Sequence, residues 1–317
     1  MSAGRTAPRV LRAGAVWLVR LVVTVLGVLT LLFFLLRLSG DPAAVLVGPG
    51  GSQEDIDRVR TELGLDLPLW TQYGTFLGDV ARLDFGVSPH TGEPAISAVL
   101  ARLPLTLQIV GATLALAVLV GVPLGMLAAA RARHASARAV TAAASIAQAM
   151  PNFVLGLLLL LVFALWLGWL PSYGAESPLH AVLPTLTLAA FTVARVVRLV
   201  RAGLLEAIEQ DFIRTVRAKG GGRLRALARH ALPNAFPPVL AFLVVDSAYL
   251  LSSTVIVEQL YAYDGIGKQL VDAIFQRDYP IVQATVFVVA VLVVAVSAIG
   301  DVLGALVDPR VRREAAG

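Results

Sequence analysis

Residues able to do chemistry are sparse in this 317-residue sequence, and they do not converge on one another. The four histidines, His90, His134, His180 and His230, are scattered and share no metal-ligand spacing. Cysteine is absent, which removes disulfide staples and Cys-ligated zinc or iron–sulfur sites. No serine stands in a Gly-x-Ser-x-Gly elbow. Gly267-Lys268 is followed by Gln269, and no Gly-x4-Gly-Lys-[Ser/Thr] phosphate loop occurs, so the sequence offers no nucleotide-binding loop of that kind. Two carboxylates stand out because they sit in long apolar runs, Asp246 and Asp301. At mid-bilayer a carboxylate costs roughly 2.5–3.5 kcal/mol on insertion scales, so Asp246 must face protein or water rather than lipid. It is either a hydrogen-bond partner of a neighbouring helix or a pathway residue that meets a substrate amine or cation. Asp301, closer to the end of its run, reads as a structural anchor.

The elements around these residues are membrane helices. Hydrophobic residues make up 57% of the chain against 15% charged, with a mean hydropathy of +0.79, outside the usual soluble mix. A spanning helix needs roughly 20 mainly apolar residues. Six stretches qualify, about 16–36, 105–130, 141–170, 181–200, 237–257 and 281–306. The third is longer than one span needs, so its first turns should project beyond the lipid or tilt. The fourth is the weakest, with Pro184 near one end and Arg195 and Arg198 near the other. Arg5, Arg9 and Arg12 precede the first stretch as in a signal peptide. No small-x-small cleavage site follows promptly, so an uncleaved helix is expected.

Charge distribution orients these spans. With both termini cytoplasmic, only Arg37, Arg58, Arg60, Arg82, Arg102, Lys268 and Arg277 of the 26 lysines and arginines fall outside. The sequence pI near 10 therefore reflects topology. Nucleic acid is not an expected partner, since no basic patch is interleaved with stacking aromatics. The expected class is all-α: a polytopic membrane protein with about six transmembrane helices and cytoplasmic N- and C-termini.

Three parts follow from this reading: 1–37 as N-terminal tail and first helix, 38–102 as an external segment, and 103–317 as a five-helix core. In the external segment, Ser52 can cap a short helix carrying Ile56, Val59 and Leu63, stopped by Gly64. After Pro68, residues Leu69, Tyr73, Phe76, Leu77 and Val80 recur at helical spacing, and Asp84-Phe85-Gly86 breaks the pattern. The segment is a small cap on the helix ends, a docking surface for an external partner, or both. A further short amphipathic helix should open at Gly265-Ile266-Gly267 and run through Phe275, capping the bundle or helping to close an outer gate.

The core carries one distinctive loop, 201–236. Two short amphipathic helices are expected there, broken at Gly220-Gly221-Gly222, where glycine supplies the torsions of a sharp turn. Pro233 should end the second helix. Nine residues separate Gly220 from His230, which is followed by Ala231-Leu232-Pro233. This resembles the coupling loop of ABC importer permeases, with its Glu-Ala-Ala, three residues, Gly, nine residues, Ile, any residue, Leu-Pro. Arg214-Thr215-Val216 stands in place of the Glu-Ala-Ala triplet. The run Asp211-Phe212-Ile213-Arg214-Thr215-Val216-Arg217-Ala218-Lys219-Gly220 is instead similar to the oligopeptide/dipeptide/nickel branch, specifically its first-permease subunit with a long outer segment. Gly40-Asp41-Pro42-Ala43, Leu63-Gly64-Leu65-Asp66-Leu67-Pro68-Leu69, Arg102-Leu103-Pro104-Leu105-Thr106-Leu107 and Arg277-Asp278-Tyr279-Pro280 extend the resemblance over nearly the whole chain.

The resemblance implies a permease subunit of a bacterial inner (cell) membrane, forming half of an ATP-driven import pathway for di- and oligopeptides; nickel or another small solute remains an alternative within the branch. It implies four kinds of partner: a second homologous permease, two ATPase subunits or domains, an external substrate-binding protein and membrane lipid. No cofactor would be bound by this chain, with ATP and Mg on the partner ATPases. ATPase coupling would fall to Asp211, Phe212, Arg214, Thr215, Arg217, Lys219, Gly220, Leu232 and Pro233. The apolar Phe212, Ile213, Val216, Leu224 and Leu227 would be buried anchors in that contact. Asp246 departs from the family's usual Gln and is the candidate pathway residue.

Overall fold

A computed structural model describes residues 7–38, 42–47, 50–211, 213, 216, 222 and 226–307. Among them the regular structure is helical, apart from one isolated bridge between Val87 and Pro94. Five helices are long and apolar enough to cross a membrane, and a bent pair makes a sixth if counted as one span. The chain divides into two compact units, Met1–Pro104 with Lys268–Val294, and Leu105–Gly267 with Ala295–Gly317.

The first unit starts with α1 (Ala7–Leu38), which exposes most of its apolar surface, as a lipid-facing helix does. One stripe is buried, Val25, Leu29 and Phe33, four residues apart and therefore on one face. After α2 (Pro42–Val47) comes α3 (Gln53–Glu62), started as its sequence predicts. The Ser52 hydroxyl accepts from the Asp55 N–H (3.2 Å) and the Asp55 carboxylate accepts from the Ser52 N–H (3.3 Å), a reciprocal capping box. The Ser52 hydroxyl also donates to the Asp55 carboxylate at 2.7 Å, and this bond, with that from the Ser52 N–H, holds the Asp55 carboxyl below the usual carboxylate range. Pro68 precedes α4 (Leu69–Ala81), which packs on α1 through Tyr73 and Phe76, each with its ring centroid 5.3 Å from that of Phe33. Two polar links reinforce the pair: Thr30 and Tyr73 share a 2.6 Å hydroxyl bond, and Arg37 Nε donates to Gln72 Oε1 at 2.8 Å.

Helix α5 (Ala95–Ala130) runs from this unit into the second. It contains a π turn at Ala117–Gly121, just ahead of Pro123. Proline has no N–H and its ring crowds the carbonyl four residues back, so a widened turn lets the helix continue. The same solution recurs at Leu227–Ala231, ahead of Pro233. Pro233 therefore does not end its helix, contrary to the sequence expectation; the helical turn Leu232–Ala235 contains it, and the Asn234 side-chain amide donates to the His230 carbonyl at 2.8 Å.

The third apolar stretch is also different from its expected form. It is α6 (Ala135–Ala149) and α7 (Asn152–Trp166), bent by 107° at Met150-Pro151. A residue before proline is pushed from helical to extended torsions, and Met150 lies at φ −88°, ψ 131°. A break, not a projecting or tilted straight helix, accounts for the excess length.

A 3-10 turn, Pro178–Ala181, leads into α8 (Val182–Ile208), the most buried of the spans. That burial explains why it reads as the weakest: a helix wrapped in protein need not be apolar on all sides. Two of its arginines find local partners, Arg195 over the Phe242 ring (5.7 Å) and Arg198 Nη1 on Gln148 Oε1 (2.8 Å). Close packing on α5 depends on missing side chains. A Cβ on Gly121 would come within 2.9 Å of Val196 Cγ1, and one on Gly125 within 2.7 Å of Val200 Cβ and 2.9 Å of the Val197 carbonyl. This is the small-xxx-small contact by which membrane helices approach closely. α9 (Pro237–Leu260), α10 (Ile266–Gln276) and α11 (Tyr279–Val307) complete the chain.

Candidate functional site

Three places concentrate polar or glycine-rich chemistry in an otherwise apolar scaffold. The first is the loop after α8. Asp211 is exposed there; Phe212, Arg214, Thr215, Arg217, Lys219 and Gly220 lie outside the described residues. Leu232 is half-buried and Pro233 exposed. Two expected anchors for an ATPase, Ile213 and Leu227, are instead buried in the protein's own core. They join Val196, Val200, Leu204, Ala231, Ala235 and Val239 in one cluster. Val216 is half-buried, and Leu224 lies outside the described residues. Both ends of the loop are thus seated among α5, α8 and α9, because their apolar residues recur on the inward face of short helical turns.

The second place is the break between α6 and α7. Gln148, Asn152, Phe191, Tyr249 and Ser253 line an open cleft of about 420 Å³ at the bend. Gln148 Oε1 is taken by Arg198, whereas its buried Nε2 has no partner among the described residues. Tyr249 is 54% exposed although it lies mid-way along α9, with its ring 6.3 Å from Phe191. Ser252 is exposed on the same face. Hydroxyls and amides at this depth need partners that lipid tails do not supply. Asp246, one turn from Tyr249, is not on this surface: it is 4% exposed and accepts a 2.7 Å hydrogen bond from Thr192 of α8.

The third was not singled out from sequence. Glu258, in the last turn of α9, is fully buried. One carboxylate oxygen accepts from Thr106 of α5 (2.6 Å) and the other from the Gly267 N–H (2.8 Å); Thr106 Oγ1 accepts in turn from the Ile266 N–H (2.9 Å). A Cβ at Gly267 would fall 2.7 Å from Val255 Cα, so glycine is required for this approach. The phenols beside the clip are also buried. Tyr261 donates to the Gly156 carbonyl of α7 (2.8 Å) and shares a bond with Thr187 (2.9 Å), and Tyr263 donates to Gln108 (3.1 Å). Burial pushes both phenols above their ordinary pKa, with the Glu258 charge adding to the effect at Tyr263. The available signal was a carboxylate seven residues before Gly265-x-Gly267, at the close of an apolar run.

Comparison with known proteins places this geometry. Residues 121–313 match the family described as binding-protein-dependent transport system inner membrane component, and residues 10–110 match the N-terminal part of such components. The chain is 37% identical over 310 residues to a probable peptide ABC transporter permease protein of Sinorhizobium fredii, covering 94% of this chain and 99% of that one. It is 36% identical to the oligopeptide transport system permease protein AppB of Bacillus subtilis, covering 90% of this chain and 94% of the relative. To the glutathione transport system permease protein GsiC of Escherichia coli it is 35% identical, covering 93% and 97%. Among solved structures, the inward-facing MetNI methionine ABC transporter contains a chain with the same fold, at TM-score 0.54 and 19% identity, covering 66% of this chain and 96% of that chain.

Proposed function

Because this chain belongs to the binding-protein-dependent transport system inner membrane component family, we propose that it forms half of the pathway of an ATP-driven peptide importer. It is a multi-pass inner-membrane protein and a non-enzymatic permease subunit. Support for peptides as cargo comes from the near full-length likeness to permeases named for peptides, oligopeptides and glutathione. A second permease, two ATPases and an external binding protein complete the machine, with ATP and Mg held by the ATPases.

In this reading the loop 201–236 docks on an ATPase, steered by Arg214, Arg217 and Lys219 and turned at Gly220. Ile213 and Leu227 carry its displacement into the spans, because both are seated in the same apolar cluster as α8. Interiors packed this closely move as bodies rather than deform, which suits a rigid-body switch. The observation that carries the proposal is this seating of both loop ends within a chain so similar to peptide permeases. Its test is purification from native membranes under mild detergent. An ATPase should co-purify, and the binding protein loaded with peptide should stimulate hydrolysis in liposomes; a chain that travels alone and transports without ATP would refute the reading.

Segment 38–102 is assigned to the outside and 201–236 to the cytoplasm. Cysteines at Glu62→Cys and Gln210→Cys, both exposed positions in a cysteine-free chain, report on this. An impermeant thiol reagent should label the first in intact cells and spare the second; the reverse pattern would invert the topology.

Substrate passes the polar face formed by Gln148, Asn152, Tyr249, Ser252 and Ser253, and Asp246 serves as the partner that fixes Thr192 and hence α8 against α9. Asp246→Asn keeps an acceptor for the threonine and removes the charge. The expected result is an unchanged preference between free and N-acetylated peptide in competition transport assays, with a small loss of thermal stability. A shift in that preference would show that the carboxylate senses the substrate amine.

A further inference from the structure

On the membrane face that carries α3 and α4, a cavity of about 280 Å³ opens among Leu36, Arg37, Leu63, Phe85, Arg277 and Gln283. We propose that this cavity binds the phosphate of a phospholipid headgroup. Its position supports the assignment: Arg37 ends one spanning helix, Trp17–Leu38, and Gln283 lies in the second turn of another, Tyr279–Gly304. The cavity therefore opens where the hydrocarbon gives way to headgroups.

Its chemistry is that of an anion site. Two guanidiniums and a carboxamide line it, and among the described residues no carboxylate does. Asp278, the chain neighbour of Arg277, is engaged on both oxygens, by the Ser88 hydroxyl and by the Ile281 N–H. Among the described residues Arg37 is held through Nε on Gln72, and its guanidinium lies 4.4 Å above the Phe33 ring, a packing that orients the group. The hydroxyl of Tyr279, also part of the lining, is buried with no hydrogen-bond partner among the described residues. A buried orphan donor beside two guanidiniums is the complement of phosphate oxygens.

A second observation distinguishes a lipid from free phosphate. The same Gln72 that holds Arg37 also donates to the carbonyls of Leu65 and Leu67 (3.0 and 2.8 Å), fixing the loop between α3 and α4. That loop and the first turn of α4 expose Leu63, Leu67, Leu69 and Trp70, the last at 81%. An exposed tryptophan among leucines at the rim of a spanning helix is the composition of an interfacial anchor. Inorganic phosphate would satisfy the donors and leave Leu36, Leu63 and Leu65 against water. A glycerophospholipid covers both.

The test uses the full chain with its co-purifying subunits, delipidated in detergent and titrated with short-chain phosphatidylglycerol under native mass spectrometry. Wild type should retain one such lipid per chain. Arg277→Asn, chosen because Arg277 sits at φ 56° and asparagine tolerates that region, should weaken retention about five- to tenfold, and Gln283→Leu should weaken it less. Diacylglycerol of the same chain length, which lacks the phosphate, should not compete. Equal retention by wild type and both variants would overturn the proposal. Displacement by millimolar inorganic phosphate alone would also overturn it, making the cavity a free-anion site.

Discussion

Replacing Glu258 by leucine should cost about 2–4 kcal/mol and abolish transport, because two buried donors lose their acceptor at once. The Thr106 hydroxyl and the Gly267 N–H both end on this carboxylate, and the Ile266 N–H reaches it through Thr106. Each buried donor left unmade costs about 1–3 kcal/mol, and little water is at hand to replace it. Glu258→Gln retains one good acceptor oxygen and should fall between wild type and the leucine variant. Thermal unfolding in detergent measures the first effect and peptide uptake in liposomes the second. A leucine variant as stable as wild type would mean that the clip contributes nothing to the fold.

The second large effect is expected at Gly220. Gly220→Val should leave the subunits assembled and reduce binding-protein-stimulated ATP hydrolysis at least tenfold. Ile213 and Leu227, on either side of Gly220 in the chain, are buried in one cluster, and the sequence expectation is a sharp turn at the glycine. A β-branched residue forced into left-handed torsions carries strain of about 1–3 kcal/mol. By the proposed coupling, relief of that strain would re-aim the loop against the ATPase, without touching the buried ends. Stimulated hydrolysis equal to wild type would remove this loop from the transmission path.

These residues also mark how far the sequence could be read. The ends of α3 and α4 were legible because their signals are local: Ser52 at a cap, Pro68 at a helix start, glycine at residue 64 with φ 63° at a stop. The loop's Gly–Leu-Pro spacing was legible because it follows one stretch of chain. What escaped depends on the third dimension. Met150-Pro151 sits within a continuous apolar run, and hydropathy does not distinguish a bent helix from a long one. Pro233 carries a breaker's residue type, and only the preceding π turn explains why the helix passes through it. Ile213 and Leu227 belong to a hydrophobic face whose partner, ATPase or own core, is not encoded in periodicity. Glu258 reads as the polar edge of a span until Thr106, 152 residues away, is brought beside it.

The burial of α8 bears on how the protein is made. A segment with Pro184 and with Arg195, Arg198 and Arg201 towards one end is a poor candidate to leave the translocon for lipid on its own merits. By the time it emerges from the ribosome, however, α5, α6 and α7 have already been synthesised. They offer a glycine-floored groove at Gly121 and Gly125 and a glutamine for Arg198. Chain order thus places the host ahead of its guest. Insertion of this helix is in effect a docking reaction, and biogenesis and folding of the core become a single event.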